Sequence, residues 1–332
     1  MDKYLFPVLS LNRNITDILT HIQSANIRGE IEKGLNNEII YFDEGTHISD
    51  VAEIYSLLPE TDKAQVRISA AYCQYLWLIC DATYKLIDYQ IIRSQIEQFG
   101  LTLDGFINYI HQILSMPIEE IKSRIQDNSQ LQNVERYIEY LRRIQNFEEN
   151  LPTSIINQLV LADTLRDKNK TIDFNLLNTI NLNGHYEVLS NSVYCNGIAF
   201  ILLHEASHYS MGHLDRNYNN GDEEAADFSA YWSLLNDVDE EHKFSAGCGI
   251  MSVLFSFLYL NENLEEDGQH PREDKRIFNF YELIKDDNPK YLNLLIKSFE
   301  LWGCRRNDYP MNLPPTKESI NIIKEYINSH FG

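Results

Sequence analysis

The sequence has little cysteine and no cysteine pair at the spacing of a metal knuckle. Its 332 residues include 5 cysteines, at positions 73, 80, 195, 248 and 304, and no C-x-x-C. Because they are odd in number and widely spaced, they argue against both a disulfide framework and a cysteine zinc site. We interpret them as buried thiols in a reducing compartment.

Positive charge is also scarce. Lys and Arg number 28 against 49 Asp and Glu, which gives a formal net charge of −21. Non-specific nucleic-acid binding depends on Lys and Arg that neutralise phosphates, so this balance argues against a nucleic-acid partner and against an anionic membrane surface. The chain also lacks G-x-x-x-x-G-K-[ST] and G-x-G-x-x-G, the loops that cradle nucleotide phosphates.

Long hydrophobic runs are missing as well. The longest apolar stretch, at 246–260, is shorter than the roughly 20 residues of a spanning helix and contains Ser252 and Ser256. The N-terminus shows no basic region followed by an apolar core. The sequence therefore predicts a cytoplasmic protein with no membrane span, in which 246–260 is a buried core helix.

What the chain does contain is the pentapeptide H-E-A-S-H at 204–208, which ends the apolar run 198–203. On an α-helix His204 and His208 lie one turn apart on one face, where their imidazoles can bind a single metal ion. Glu205 beside them is a carboxylate that can accept a proton from an attacking water. The apolar run predicts a buried helix, and buried polar side chains require partners. The pattern thus predicts a zinc site with Glu205 as its catalytic base.

A third protein ligand is expected downstream, because catalytic zinc usually takes three. After a turn-rich loop at 216–221, a predicted helix opens with several acidic residues. Glu223 and Asp227 are one turn apart, which fits a metal carboxylate and a second carboxylate that orients a ligand histidine. Two alternatives stay open. Glu224 is a rival ligand that points about 100° away around the helix, and an acidic N-terminus also complements the helix dipole without any metal.

The related pattern H-E-x-x-H-x-x-G-x-x-H, in which the third ligand is a histidine, is excluded. It needs Gly at 211 and His at 214, where the chain has Met211 and Leu214. Gly212 and His213 are out of phase by one residue, and we expect His213 to cap the end of the helix. Two histidines and one glutamate are therefore the predicted ligands.

Three motifs carry a resemblance to known families. The run E-x-x-A-D at 223–227, following H-E-x-x-H, resembles the glutamate-ligand zinc metallopeptidases, or gluzincins. The segment H-P-x4-R-I at 270–277 resembles one that HtpX-type and CAAX-processing peptidases carry after their third ligand. The sequence around 208–214 looks most like the phage-exclusion peptidases of the Lit type, which cut a translation elongation factor. The resemblance covers roughly residues 185–280.

This resemblance implies the roles of further residues. It implies that His270 stabilises the oxyanion of the tetrahedral intermediate, with Arg276 as a second candidate. It also implies an edge strand beside the active-site helix that pairs with extended substrate. Residues 179–191 roughly alternate apolar and polar about Gly184 and predict a short β-hairpin, whose strand Tyr186–Ser190 we assign to that role.

Most of the remaining chain has helical apolar spacing. Helices are predicted over 61–99, from Asp104 to just before Pro117, between 129 and 152, and over 277–302 and 316–329. The predicted fold class is mainly α (α+β): a helical zinc-peptidase core with a short β-hairpin beside the active-site helix, plus N-terminal helices. The predicted domains are a helical N-terminal region of unknown role, 1–150, and a zincin-like catalytic domain, 151–332.

The sequence thus predicts a metalloendopeptidase that holds Zn²⁺ through His204, His208 and Glu223 and cleaves a cytosolic protein or peptide, as in phage exclusion. One alternative is a regulatory peptidase of the ImmA/IrrE type that cleaves a repressor. Its E-x-x-A-[DN]-x-F-A run is close to 223–230, although Ser229 stands where that run has Phe. The other alternative is a non-catalytic zinc-containing binding protein. Glu205 argues against it, because a structural site needs no base.

Overall fold

The structure is a computed structural model that describes residues 8, 11–20, 40–43, 48, 51–56, 64–98, 112, 114–117, 120, 155, 157–167, 185–213, 219–236, 238–261, 264, 270–286, 288–303, 306, 308–311 and 313–331. Its elements are α1 (Asn12–Thr20), β1 (Ile40–Asp43), β2 (Ala52–Ser56), β3 (Ala64–Ser69), α2 (Ala70–Gln98), α3 (His185–Ser210), α4 (Asn220–Leu235), α5 (Glu240–Leu260), α6 (Glu273–Ile284), α7 (Lys290–Gly303) and α8 (Lys317–Phe331). A further helical stretch covers 157–166. The fold is mainly α, as the sequence predicts.

A small three-stranded sheet lies against the helices, in the order β1-β3-β2. The central strand β3 pairs parallel with β1 and antiparallel with β2. Val66 and Ile68 of β3 are buried, and β-branched residues at two-residue spacing are typical of such a strand. Strand β2 forms one edge of the sheet and packs against α3.

Helix α3 lies in the middle of the helical core, where it packs against α2, α4 and α5. Its contact with α5 is a close backbone approach at two glycines. A Cβ added to Gly249 would lie 2.7 Å from the carbonyl oxygen of Val193 and 2.8 Å from the backbone nitrogen of Gly197. Any larger residue at 249 would force the two helices apart, so this glycine fixes their separation.

The start of α3 is joined to α2 by a buried polar network. Asp81 of α2 accepts a hydrogen bond from Ser190 Oγ at 2.7 Å and pairs with Lys85 Nζ at 2.6 Å. Trp77 Nε1 also donates to Asn191 Oδ1 at 2.7 Å. Burying an ion pair is costly unless its members are also hydrogen-bonded, and the serine meets part of that need here. The network holds α3 in place well before the H-E-x-x-H turn.

The predicted core helix at 246–260 is confirmed as the larger part of α5. Within the described residues, His242–Leu260 is the one helical stretch long and apolar enough to cross a membrane, and 72% of its most apolar window is buried inside the structure. Burial on this scale is typical of the core helix of a globular domain.

Two local predictions are wrong. Residues 64–69, expected within a helix, form β3, because Val66 and Ile68 follow a two-residue spacing and neighbouring strands pair on both sides. The predicted strand Tyr186–Ser190 is helical, since α3 already begins at His185. The polar positions there do not mark a strand face: Ser190 turns inward to Asp81, while Val188 is exposed.

The remaining predictions have mixed outcomes. The predicted helix 277–302 is two helices, α6 and α7, and the one at 316–329 is α8. The helices predicted between 129 and 152 and over most of 104–116, and the 179–184 half of the hairpin, lie outside the described residues. The boundary at residue 150 stays a prediction. Across it, buried residues of α2 and α3 belong to the same hydrophobic core.

Candidate metal centre

Helix α3 presents His204 and His208 on one face near its C-terminal end. The apolar residues before them are buried, which orients the helix and carries both histidines into the interior. Phe200, one turn before His204, stacks on Tyr231 of α4 with ring centroids 5.3 Å apart. This aromatic contact sets the distance between the two helices that form the site.

Helix α4 supplies the carboxylates. Its N-cap Asn219 forms a capping box with Asp222, which satisfies backbone donors of the first turn and fixes where the helix begins. Ser229 of α4 accepts a hydrogen bond from Ser207 of α3 at 2.9 Å, so small polar side chains join the helices at close range. The phase set by this start points Glu223 and Asp227 toward α3.

The three predicted ligands converge. His204 Nε2 lies 3.1 Å from His208 Nε2, and the Glu223 oxygens lie 3.4 Å from the first and 3.1 Å from the second. All three side chains are buried, and their ligand atoms form the group that could hold a metal ion among the described residues. Glu224, the rival ligand, is exposed to solvent. The structure therefore brings Glu223 to the histidines and leaves Glu224 outside.

The electrostatics of this cluster are those of a cation site. Burial opposes the charged form of His204, but hydrogen bonds to Asp227 and Glu223 outweigh it and raise the pKa of His204 to about 10. Burial likewise opposes ionisation of Glu223, yet hydrogen bonds from His204, His208 and His270 hold its pKa well below the usual range. The carboxylates of the cluster therefore favour a positive charge beside them. Without a metal cation, a proton on His204 supplies that charge.

Asp227 contacts the other nitrogen of His204. Its Oδ1 lies 3.0 Å from His204 Nδ1, as expected for a carboxylate that orients a ligand histidine. Behind it, Arg276 of α6 donates two hydrogen bonds to the Asp227 carboxylate, both at 2.7 Å. Burial would raise the pKa of Asp227, but the charge of Arg276 and the contact with His204 lower it to about 2. Asp227 is therefore a firmly ionised support for His204.

Glu205 is half-buried, and its surroundings raise the pKa of its carboxyl group. Burial raises its pKa above the ordinary value of 4.5, while the charges of His204 and His208 act in the opposite direction. A carboxylate that is held near the two candidate ligand histidines and is more basic than usual suits proton transfer at neutral pH.

His270 lies at the open side of the cluster. Its side chain is 47% exposed, and its Nδ1 is 3.3 Å from Glu223 Oε2. This residue is thus brought to the ligand group from the turn that precedes α6. Arg276, its partner in the H-P-x4-R-I segment, is buried and contacts Asp227 instead, so the two residues meet different parts of the cluster.

His213 makes contacts that the sequence did not predict. His213, expected to cap α3, has its Nδ1 2.9 Å from Nδ1 of His208 and its Nε2 3.4 Å from Asp222 Oδ1. The sequence feature that could have indicated these contacts is Gly212. In the structure its φ is +71°, and this left-handed conformation reverses the chain direction after α3. A histidine directly after such a turn is placed back against the helix end.

A protein-family model matches most of the chain. The model of the peptidase U49 family matches residues 66–295, which is more than half of the chain and includes every residue of the cluster. No curated protein and no solved structure matches the chain. The chain belongs to the peptidase U49 family.

Proposed function

We propose that this peptidase is a zinc-dependent endopeptidase in which His204, His208 and Glu223 hold the metal. The observation that carries the proposal is the close approach of the candidate ligand atoms. The two histidine Nε2 atoms lie 3.1 Å apart, Glu223 Oε2 lies 3.4 Å from His204 Nε2, and Glu223 Oε1 lies 3.1 Å from His208 Nε2. Tetrahedral zinc with bonds of about 2.0–2.1 Å places its ligand atoms about 3.3 Å apart. Two imidazole nitrogens and a carboxylate oxygen are also a donor set typical of catalytic zinc.

Zinc bound there would polarise the scissile carbonyl and lower the pKa of a water to about 7. Glu205 is the base in this proposal: it accepts a proton from the attacking water and passes it to the leaving amine. Burial raises the pKa of Glu205, which makes its carboxylate a better proton acceptor. The protonated carboxyl group can then donate that proton to the leaving amine. A site with a structural role only would not need such a group.

His270 is proposed to donate a hydrogen bond to the oxyanion. It is half-exposed on the open side of the cluster, where a substrate carbonyl has access, and it lies 3.3 Å from the ligand carboxylate. One preorganised donor of this kind is worth about 3 kcal/mol. The same role for Arg276 stays a prediction from the sequence. The contacts of Arg276 favour an indirect role, because its guanidinium is bound by Asp227 behind His204.

The proposed substrate is a cytosolic protein that presents an extended segment. The strand expected at 186–190 is helical. Among the described residues, the sheet edge beside α3 is β2, which pairs antiparallel with β3. Backbone pairing along such an edge is a general way to bind peptides irrespective of side chains. The resemblance to Lit-type phage-exclusion peptidases favours a translation factor as the substrate, and the ImmA/IrrE resemblance favours a repressor.

The test of the peptidase mechanism is Glu205→Gln, which keeps the shape of the side chain and removes the base. Zinc content should stay at about one ion per chain while proteolysis falls by several orders of magnitude. The matched control is Glu224→Gln on the exposed side of α4, which should leave both quantities unchanged. N-terminal peptide mapping of whole lysates exposed to wild type and Glu205→Gln measures cleavage and names the substrate. Equal cleavage by the two proteins would disprove the mechanism, and wild type without zinc would disprove the metal site.

A further inference from the structure

The second ring nitrogen of His208 has an unusual neighbour. His208 Nε2 faces Glu223 and His204, so its Nδ1 points away from the ligand cluster, and there it meets His213 Nδ1 at 2.9 Å. The nitrogen of a ligand histidine that does not bind the metal normally contacts a carboxylate, a carbonyl or water. Here the contact includes a second imidazole, whose ring is itself buried.

The hydrogen positions in this pair follow from the ligand role of His208. A neutral imidazole that binds a metal through Nε2 carries its hydrogen on Nδ1 and donates from there. Only one hydrogen fits between two ring nitrogens, so His213 Nδ1 accepts and the hydrogen of His213 lies on Nε2. That nitrogen is 3.4 Å from Asp222 Oδ1, which is long for a hydrogen bond and makes this outer contact the weaker of the two.

Asp222 connects this chain of contacts to the start of α4. Its Oδ2 accepts a hydrogen bond from the Asn219 backbone at 3.0 Å as part of the capping box, and its Oδ1 faces His213. The other end of the chain is fixed by Gly212, whose left-handed backbone turns His213 toward α3. The contacts therefore run from the cap of one ligand-bearing helix to the second ligand histidine on the other.

We infer that His213 and Asp222 are positioning residues for the metal centre: His213 holds the ring of His208 with Nε2 toward the cluster, and Asp222 holds His213. The inference rests on the proposed function, because it assigns a purpose to the orientation of His208 only if His208 is a metal ligand. Neither residue touches substrate in this assignment. Their effect is on the affinity and geometry of the metal, and on activity only through these.

The decisive comparison is His213→Leu with His213→Asn. The two replacements have nearly the same shape, but only the amide oxygen of Asn can accept the hydrogen from His208 Nδ1. We expect His213→Leu to lower Zn²⁺ affinity about 10–100-fold and His213→Asn to recover most of that loss. Zn²⁺ affinity is measured with a competing chromogenic chelator. The absorption bands of bound Co²⁺ report whether the ligand geometry changes in the His213→Leu variant and returns to that of wild type in the His213→Asn variant. The control is His242→Ala, since His242 is an exposed histidine of α5 that pairs with Asp239, the N-cap residue of that helix.

Asp222→Ala tests the outer contact in two backgrounds. In the wild-type chain it should lower Zn²⁺ affinity less than His213→Leu does, and in the His213→Leu chain it should lower it by less than in the wild-type chain, because the part of its effect that passes through His213 is already lost. Full additivity would overturn the role of Asp222. Equal affinities of the Leu and Asn variants would overturn that of His213. If His213→Leu does not fold, unchanged affinity in Asp222→Ala overturns the inference instead. A wild-type chain that binds no Zn²⁺ would refute the proposed metal site itself, which separates the two failures.

Discussion

The two histidines proposed as metal ligands lie one turn apart on α3, yet they are held by very different partners. His204 is supported by an ionised carboxylate, Asp227, which is in turn bound by two short hydrogen bonds from Arg276. His208 is supported by an imidazole, His213, with a carboxylate only at a longer distance behind it. The first support joins three helices, α3, α4 and α6, and the second joins the turn after α3 to the cap of α4.

The difference separates a support that the fold depends on from one that mainly orients a ligand. Arg276 and Asp227 are both buried, and each is the charge partner of the other. Removing one leaves the other charge uncompensated in the interior, which is costly. His213 is neutral in its proposed role, so its loss leaves no buried charge. Damage to the first support should therefore appear in folding as well as in metal affinity, and damage to the second mainly in metal affinity.

The largest effect on folding is expected for Asp227→Ala. It leaves the guanidinium of Arg276 buried without its carboxylate and should lower the free energy of unfolding by about 3–5 kcal/mol. Asp222→Ala is the matched change on the other support, and it should cost only about 1 kcal/mol, the value of a helix cap. Urea denaturation of the two metal-free variants beside wild type measures both values.

A second substitution sharpens this result. Arg276→Met in the Asp227→Ala chain removes the stranded charge and should restore part of the lost stability. Losses of the same size in Asp227→Ala and Asp222→Ala, or no recovery in the double variant, would show that the two supports do not differ as described.

The support of His204 should also have a characteristic pH dependence. The folded pKa of Asp227, about 2, is below its ordinary value of 3.8, so ionised Asp227 stabilises the fold above about pH 3.8. This contribution is lost as the pH falls toward 2, because the unfolded chain takes up the proton first. The stability difference between wild type and Asp227→Asn should therefore be constant near neutral pH and shrink between about pH 4 and 2. Denaturation of metal-free protein at several pH values measures it, and a difference that grows with acid would contradict the assignment.

The sequence was sufficient to single out the candidate ligand group because its geometry is local to two helices. His204, His208, Glu223 and Asp227 follow from i, i+4 spacing, and helical phase separates Glu223 from the exposed Glu224. The supports behind them could not be predicted in the same way. Arg276 contacts Asp227 from α6, so this contact depends on how α4 and α6 pack. His213 contacts His208 because the left-handed backbone of Gly212 turns the chain back toward α3.

The sheet was missed for a related reason. Strand β3 carries Val66 and Ile68, whose two-residue spacing is typical of a strand, but the residues after them continue at helical spacing into α2. A window that spans both elements averages the two periods. At 186–190 a helix was predicted as a strand. The short alternation of apolar and polar residues there was given more weight than the long apolar helical run that follows it. Helix α3 extends back to His185, where contacts of Ser190 and Asn191 with α2 hold its first turns.

A smaller effect than that of Asp227→Ala is expected at the turn that places His213. Gly212 has a φ of +71°, and nothing lies within 4 Å of a Cβ built on it, so Gly212→Ala changes only the backbone preference. An alanine in left-handed backbone costs about 1–2 kcal/mol, whereas asparagine adopts this conformation more readily. Gly212→Ala should therefore lower both the free energy of unfolding and, through the displaced His213, the affinity for Zn²⁺. Gly212→Asn should lower each of them less. Denaturation curves and zinc titrations of the two variants measure this, and an Asn variant as poor as Ala in both would show that steric bulk, not backbone conformation, limits position 212.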